Sequence, residues 1–276
     1  MLKQRVLTAL VLIPLVLWLV LFSPLDLFAV SMMLIIALAA NEWGMLCGLS
    51  GVKKVVYSAS LLVLMLLAWF SGQVVDYGNL LWTVSAVWLL MTIWLIVQRA
   101  ELKSHNGINP GGLLLGAVLL FVAWFAVVEI RRIEEVGSEL VMILLLMIWI
   151  ADSAAYFSGM ALGKRKLSPK VSPGKSWEGL IGGMLGVAVF GYFMTEYSYF
   201  SAVDPWMLAS LFVLIGLVSV GGDLFESRVK RQRGVKDSGN LLPGHGGIYD
   251  RIDSLIAAAP VFLLGLTEIV TVGGLQ

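Results

Sequence analysis

Nine times along the chain an apolar run is long enough to cross a hydrocarbon layer: roughly 6–22, 25–47, 55–71, 79–98, 111–130, 139–160, 178–198, 206–226 and 252–271. A helix needs about 20 such residues to span a bilayer core. Inside hydrocarbon the backbone must satisfy its own hydrogen bonds, so helices are the natural reading of these runs. The predicted fold is therefore all-α: a polytopic integral membrane protein with about nine transmembrane helices. Composition agrees, because 59% of the residues are hydrophobic and only 13% charged, against about 25% charged in soluble domains. No stretch is suited to a separate soluble domain. The start, Met-Leu-Lys-Gln-Arg and then an apolar run, has the look of a signal peptide. No small-residue cleavage site follows it, and it reads as a retained first helix. Pro14 falls inside that helix, which a membrane helix tolerates.

The distribution of cations sets an expected orientation. With the N-terminus on the cytoplasmic side, 17 of the 19 Lys and Arg residues fall in inner segments, and only Arg131 and Arg132 fall outside. Nine spans then place the C-terminus outside. The inner cations include Lys3, Arg5, Lys53, Lys54, Arg99 and Lys103, but two loops dominate. Segment 161–177 holds Lys164, Arg165, Lys166, Lys170 and Lys175; segment 227–251 holds Arg228, Lys230, Arg231, Arg233, Lys236 and Arg251. The ordinary inside-positive bias and attraction to anionic lipid account for two or three charges per loop. Five and six, beside acids at the membrane edge, point to chemistry. The net charge of +1 points to no nucleic-acid partner. The single cysteine, Cys47, excludes an internal disulfide framework and a cysteine-based metal site.

Acids at such a depth are costly and tend to be functional. Asp250 and Asp253 are three apart, so a helix starting near Asp250 presents both on one face. Asp223 lies at the inner end of the preceding span. Three carboxylates at two helix ends form a hard-oxygen site suited to Mg²⁺. The alternative is that Asp250 or Asp253 caps the last helix, which accounts for one acid only. Asp152 lies about eight residues, or ~12 Å, inside the sixth span. It faces either a wet cavity or a buried cation. Lys175 and Ser176 precede the seventh helix, where free backbone N–H groups and a lysine favour an anion. Gly174-Lys175-Ser176 has the end of a phosphate-binding loop motif but lacks its first glycine and its preceding strand. His245, flanked by glycines, contacts phosphate or packs the loop; a zinc site would need further ligands. Glu42, an acid at the inner end of the second span, reads as the acceptor of a structural hydrogen bond. Cations with a divalent metal mean phosphates. Their place at the bilayer edge suggests a lipid phosphate meeting a soluble polyphosphate.

The run Ser227-x-Val229-Lys230-Arg231-x4-Lys236-Asp237-x-Gly239-x2-Leu242-Pro243-x-His245-Gly246-Gly247-Ile248-x-Asp250-Arg251-Ile252-Asp253 resembles the signature of the phosphatidate cytidylyltransferase (CDP-diacylglycerol synthase) family. Two shorter blocks agree with it: Asp152 to Gly159, and Leu167 to Gly179 with its Lys-Ser-Trp-Glu-Gly. The resemblance covers about the C-terminal half; spans one to five match in hydrophobicity and length only. Met160 stands where the family is expected to have Arg, and Arg165 where His is common.

The resemblance implies the reaction CTP + phosphatidate → CDP-diacylglycerol + pyrophosphate, in phospholipid biosynthesis. It implies that residues 139–276, helices six to nine with two cytosolic loops, are catalytic, and that helices one to five within 1–138 support them. Asp223, Asp250 and Asp253 would hold Mg²⁺, with a second, monovalent cation admitted beside it, and Lys236 would join them in catalysis. Lys175, Ser176, Ser227, Lys230, Arg231, His245, Gly246, Gly247, Arg251 and Asp152 would bind substrate. The resemblance further implies a homodimer in the cytoplasmic membrane with its site facing the cytosol. Two rival readings are a CTP-dependent kinase of a polyprenol or phytol type of alcohol, and an ion-coupled transporter using Asp152 and Asp223.

Overall fold

The computed structural model describes residues 2–71, 77–98, 104 and 107–272. Arg99 and Lys103, counted above among the inner cations, lie outside the described residues, as do the side chains of Lys3 and Arg5. Nine long helices are present among the described residues: α1 (Leu2–Leu21), α2 (Leu25–Leu46), α3 (Val52–Ser71), α4 (Gly78–Val97), α5 (Pro110–Arg132), α6 (Gly137–Leu162), α7 (Trp177–Phe193), α8 (Pro205–Gln232) and α9 (Tyr249–Val272). Seven segments among the described residues are long and apolar enough to cross a membrane: α2 to α6, α8, and α7 together with the turn that carries it to Glu196. The protein is thus an all-α integral membrane protein. The remaining two differ in kind. The described apolar part of α1, Val6–Leu21, is shorter, and α9 carries Asp250, Arg251, Asp253 and Glu268.

Local chemistry sets several helix ends. Asn109 accepts from Gly112 N at 2.9 Å, ahead of Pro110, and so opens α5. Asp204 takes Trp206 N and Met207 N, both at 3.0 Å, ahead of Pro205, and opens α8. A capping side chain followed by proline at the first helical position is a strong start signal. Helix α7 ends at Phe193, short of the predicted 198, and gives way to two 3₁₀ turns, Met194–Glu196 and Ser198–Phe200. Tyr197 there donates its hydroxyl to Glu139 at the start of α6.

Two departures from the sequence reading bear on the site. Helix α8 continues past 226 to Gln232, so Ser227, Arg228, Lys230 and Arg231 stand on a helix and the polar loop is shorter. Segment 161–177 is more than a loop: β1 (Lys166–Ser168) and β2 (Ser172–Ser176) form an antiparallel hairpin with Ser168 opposite Ser172.

Helix α9 is packed from several sides. Ala257, Ala258, Ala259 and Phe262 are fully buried, and the helix meets α8, α5 and α4. Small side chains let these axes come close. At Gly222 of α8 an added Cβ would lie 2.4 Å from the carbonyl oxygen of Asp253 in α9. Trp43 of α2 stacks on both Phe225 of α8 and Tyr249 of α9, with ring centroids 5.5 and 5.2 Å apart. One apolar cluster therefore runs through both halves of the chain, from Val20 to Leu266. It brings the C-terminal ends of α2 and α8 and the N-terminal end of α9 together.

Candidate active site

Along the C-terminal half of α8, Asp223, Glu226, Ser227 and Lys230 recur at helical spacing and share one face. Opposite them, the first turn of α9 presents Asp250 and, one turn on, Asp253. Asp223 is bound on both oxygens: Lys175 Nζ lies 2.6 Å from Oδ2, and Ser227 donates to Oδ1 at 3.1 Å. Lys175 arrives from β2, so the hairpin closes over the C-terminal end of α8. Lys230 bridges the two helices, donating to Glu226 Oε2 at 2.8 Å and to Asp250 Oδ1 at 2.6 Å. The other oxygen of Asp250 accepts from Gly247 N at 2.8 Å and Ser238 N at 2.9 Å. Asp253 Oδ1 accepts from Ser254 N at 2.7 Å. Asp253 also lies within electrostatic reach of Asp223 and Glu226.

The ends of this network are tied to the rest of the molecule. Ser238 donates to Glu42 Oε2 at 3.0 Å, and Ile248 N and Tyr249 N donate to Glu42 at 3.0 and 2.8 Å. The structural role expected for Glu42 is thus observed, and it is Glu42, from α2, that receives the free amides at the start of α9. Asp250 turns back onto the loop instead of capping the helix. Two glycines of the motif are needed here. Gly246 has φ +83° and an added Cβ 2.6 Å from Asp250 Oδ2; at Gly247 a Cβ would lie 2.3 Å from Ser238 Oγ and 2.4 Å from Glu42 Oε2.

Asp152 faces a cavity of about 410 Å³ bounded by α6, α7, α8 and the hairpin, with Lys175 also on its wall. It sits within reach of both Lys175 and Asp223, so it joins the acid group from the α6 side. It lies in a cavity, as one of the two expectations had it. Ser176 is buried and caps α7, accepting from Gly179 N at 3.1 Å. Arg231 reaches the carbonyls of Val171 and Val235 at 3.5 and 3.4 Å, tying α8 to the hairpin and the loop. Lys236 and Arg251 are exposed. His245 sits in a tight turn, where its backbone N–H donates to Leu242 O at 2.9 Å and its Nδ1 is buried without a partner among the described residues. Arg228 leaves the group and lies 4.6 Å from the centroid of the Trp94 ring.

The fit of a divalent cation rests on charge. Among the described residues, Asp223, Glu226, Asp250 and Asp253 face two paired ammonium groups, Lys175 and Lys230, and Glu226 Oε1 is buried with no hydrogen-bond partner. An excess of carboxylate with an orphaned oxygen suits a hard cation. No three acid, histidine or cysteine side chains converge on one point among the described residues; Lys175 and Lys230 pair there with Asp223, Glu226 and Asp250. Glu226 was not singled out for the site from the sequence, although its spacing from Asp223 and Lys230 placed it on their face.

The model of the cytidylyltransferase family matches residues 3–268. The chain belongs to the cytidylyltransferase family. It is 40% identical to the phosphatidate cytidylyltransferase of Pseudomonas aeruginosa over 264 residues, covering 95% of this chain and 96% of that protein. It is 38% identical to the phosphatidate cytidylyltransferase of Haemophilus influenzae over 281 residues, covering 95% and 97%. A third, from Bacillus subtilis, is 37% identical over 185 residues and matches 66% of each chain. The family match extends through α1 to α5, well beyond the C-terminal half that carries the motif. None of these relatives is described as a lipid kinase or a transporter, and neither rival reading gains support. As a cytidylyltransferase, the chain is a nucleotidyltransferase held in a membrane.

Proposed function

We propose that the protein transfers the CMP moiety of CTP to phosphatidate, giving CDP-diacylglycerol and pyrophosphate. One observation carries the reading: similarity to proteins named for this activity runs almost end to end, and the polar group of α8, α9 and the hairpin lies within that similarity. In this reaction an oxygen of the lipid phosphate attacks the α-phosphorus of CTP, and the bond to the β-phosphate oxygen breaks. The nucleophile is already an anion, so no strong protein base is required. The barrier is the approach of two anions, and lowering it is a matter of charge neutralisation and alignment.

Lys175 and Lys230 are placed to exchange carboxylate partners for phosphate oxygens when substrates arrive. Lys236, Arg251 and Arg231 extend the positive surface toward the side from which CTP would enter. Asp223, Glu226, Asp250 and Asp253 are the residues that would hold Mg²⁺, with a monovalent cation beside it. Mg²⁺ so bound supplies charge neutralisation and alignment of phosphate oxygens. Asp152, on the cavity wall, keeps Lys175 directed toward the acids.

The same proposal includes nine spans with the N-terminus on the cytoplasmic side, catalysis by residues 139–276 supported by 1–138, a cytosol-facing site in the cytoplasmic membrane, and a homodimer. The purified protein, given CTP and phosphatidate in detergent, should release pyrophosphate and form CDP-diacylglycerol only when Mg²⁺ is present. Formation of CDP with a phosphorylated alcohol, or no turnover with phosphatidate, overturns the reading.

A further inference from the structure

Glu42 is the one carboxylate of the first five helices that the inner-face polar network engages through its side chain, among the described residues. It is 5% exposed. No lysine or arginine forms an ion pair with it among the described residues; three donors hold it instead: Ser238 Oγ, Ile248 N and Tyr249 N. Two of these are backbone amides at the start of α9, where a negative charge also meets the positive end of the helix. The third, Ser238, leads directly to the acid group. Ser238 N donates to Asp250 Oδ2 at 2.9 Å, Ser238 Oγ accepts from Asp250 N at 3.3 Å, and Asp250 Oδ1 receives Lys230. Around the carboxylate the loop has no spare room. At Gly239 an added Cβ would lie 2.3 Å from Glu42 Oε1, and at Gly247 2.4 Å from Oε2.

We infer that Glu42 is a positioning residue for the transfer reaction, acting through Ser238 and the first turn of α9 to set where Asp250 and Lys230 point. This rests on the proposed reading of the reaction. The chemistry requires an acceptor at both oxygens, because all three neighbours are donors. Glutamine has the same size but brings an NH₂ group, and one of its two positions must then face a donor. Aspartate keeps the charge but draws it back by one methylene.

Glu42→Gln should lower kcat about 10- to 100-fold, the range typical when a partner behind a ligating group is lost, with a smaller change in KM for CTP. Glu42→Asp should recover part of the loss. On an Asp250→Asn background, Glu42→Gln should add little, since both act on one unit. Hydrogen exchange monitored by mass spectrometry supplies a readout independent of turnover: amides across 238–250 should exchange faster in Glu42→Gln and in Ser238→Ala, with helices α4 to α6 unchanged. If Glu42→Gln does not fold, Glu42→Asp and Ser238→Ala carry the same comparison. Wild-type kcat per folded molecule, or unchanged exchange over 238–250, overturns the inference. Full additivity with Asp250→Asn does the same and marks Glu42 as structural only. Failure of the wild-type protein itself to use phosphatidate would instead count against the proposed reaction and leave the exchange result to decide the positioning role.

Discussion

Lys175 of the hairpin and Asp223 of α8 meet as an ion pair, Nζ to Oδ2 2.6 Å, with both side chains only partly shielded at 25% and 33% exposure. The pair joins the two polar segments that the sequence presents separately. It also leaves Lys175 on the wall of the cavity that Asp152 lines, where on the proposed reading it would meet a substrate phosphate.

Replacing Lys175 by alanine should therefore weaken turnover more than folding. Loss of a charge-assisted contact to substrate is worth roughly 1.5–3 kcal/mol, about 10- to 150-fold in kcat/KM. Steady-state kinetics on the purified variant, beside its thermal unfolding curve, checks this. Wild-type kcat/KM would return Lys175 to the ordinary set of inside-positive charges.

The acids should behave as a unit. Asp223→Asn, Asp250→Asn and Asp253→Asn each retain shape and remove a charge, and each should nearly abolish transfer. The double variant at Asp250 and Asp253 should be little worse than either single one. Glu226→Gln belongs to the same series and should fall with them. The measurement is turnover against Mg²⁺ concentration for folded, detergent-extracted protein. Variants at Asp250 and Asp253 with unchanged activity and Mg²⁺ response would end the metal proposal.

Topology can be tested at exposed loop positions. Ser168 and Val203 are buried, whereas Lys170, Asn240, Glu134 and Ala202 are exposed. Single cysteines at 170 and 240 should react with a membrane-impermeant maleimide only from the cytoplasmic side, and those at 134 and 202 only from the opposite side. Labelling of 240 from outside would overturn the proposed orientation.

Cys47 provides a pH-dependent control. It is buried at the end of α2, and burial pushes its thiol up to about 11, with Arg233 pulling in the opposite direction. The reactive form is the thiolate, so alkylation of the folded protein should be slow at pH 7 and rise about tenfold per unit up to pH 10. Rates measured over that range with a small alkylating reagent check the expectation. Rapid, pH-independent labelling at pH 7 would contradict the burial.

Most of the helical frame was legible because each span is a run of apolar residues, and the polar breaks fall within a few positions of the observed ends. The inner end of α8 was not. Hydropathy stops at Glu226, but Arg228, Lys230 and Arg231 are good helix formers, and cations in a last turn face the negative end of the helix. The hairpin was hidden for another reason. Its strands are three and five residues long and flank Pro169 and include Pro173, so the usual alternation is absent. For the site, spacing showed that Asp250 and Asp253 share a face, and the motif named Lys175 and Lys230. Which carboxylate each lysine takes depends on how α8, α9 and the hairpin meet, and the linear order of residues does not contain that. Glu42 was visible only as an acid in the wrong place, because its partners are two backbone amides and a serine far along the chain.

The two internal ammonium groups have a consequence for how such a protein is made. During insertion the C-terminal end of α8 and the N-terminal end of α9 must settle together whether or not a metal ion is at hand. Unpaired carboxylates there would resist assembly. Lys175 and Lys230 act as resident counterions, so the helices can reach their final places first. On the proposed metal reading, the order of biogenesis is thereby freed from the supply of the ion, and loading would be an exchange at a finished site.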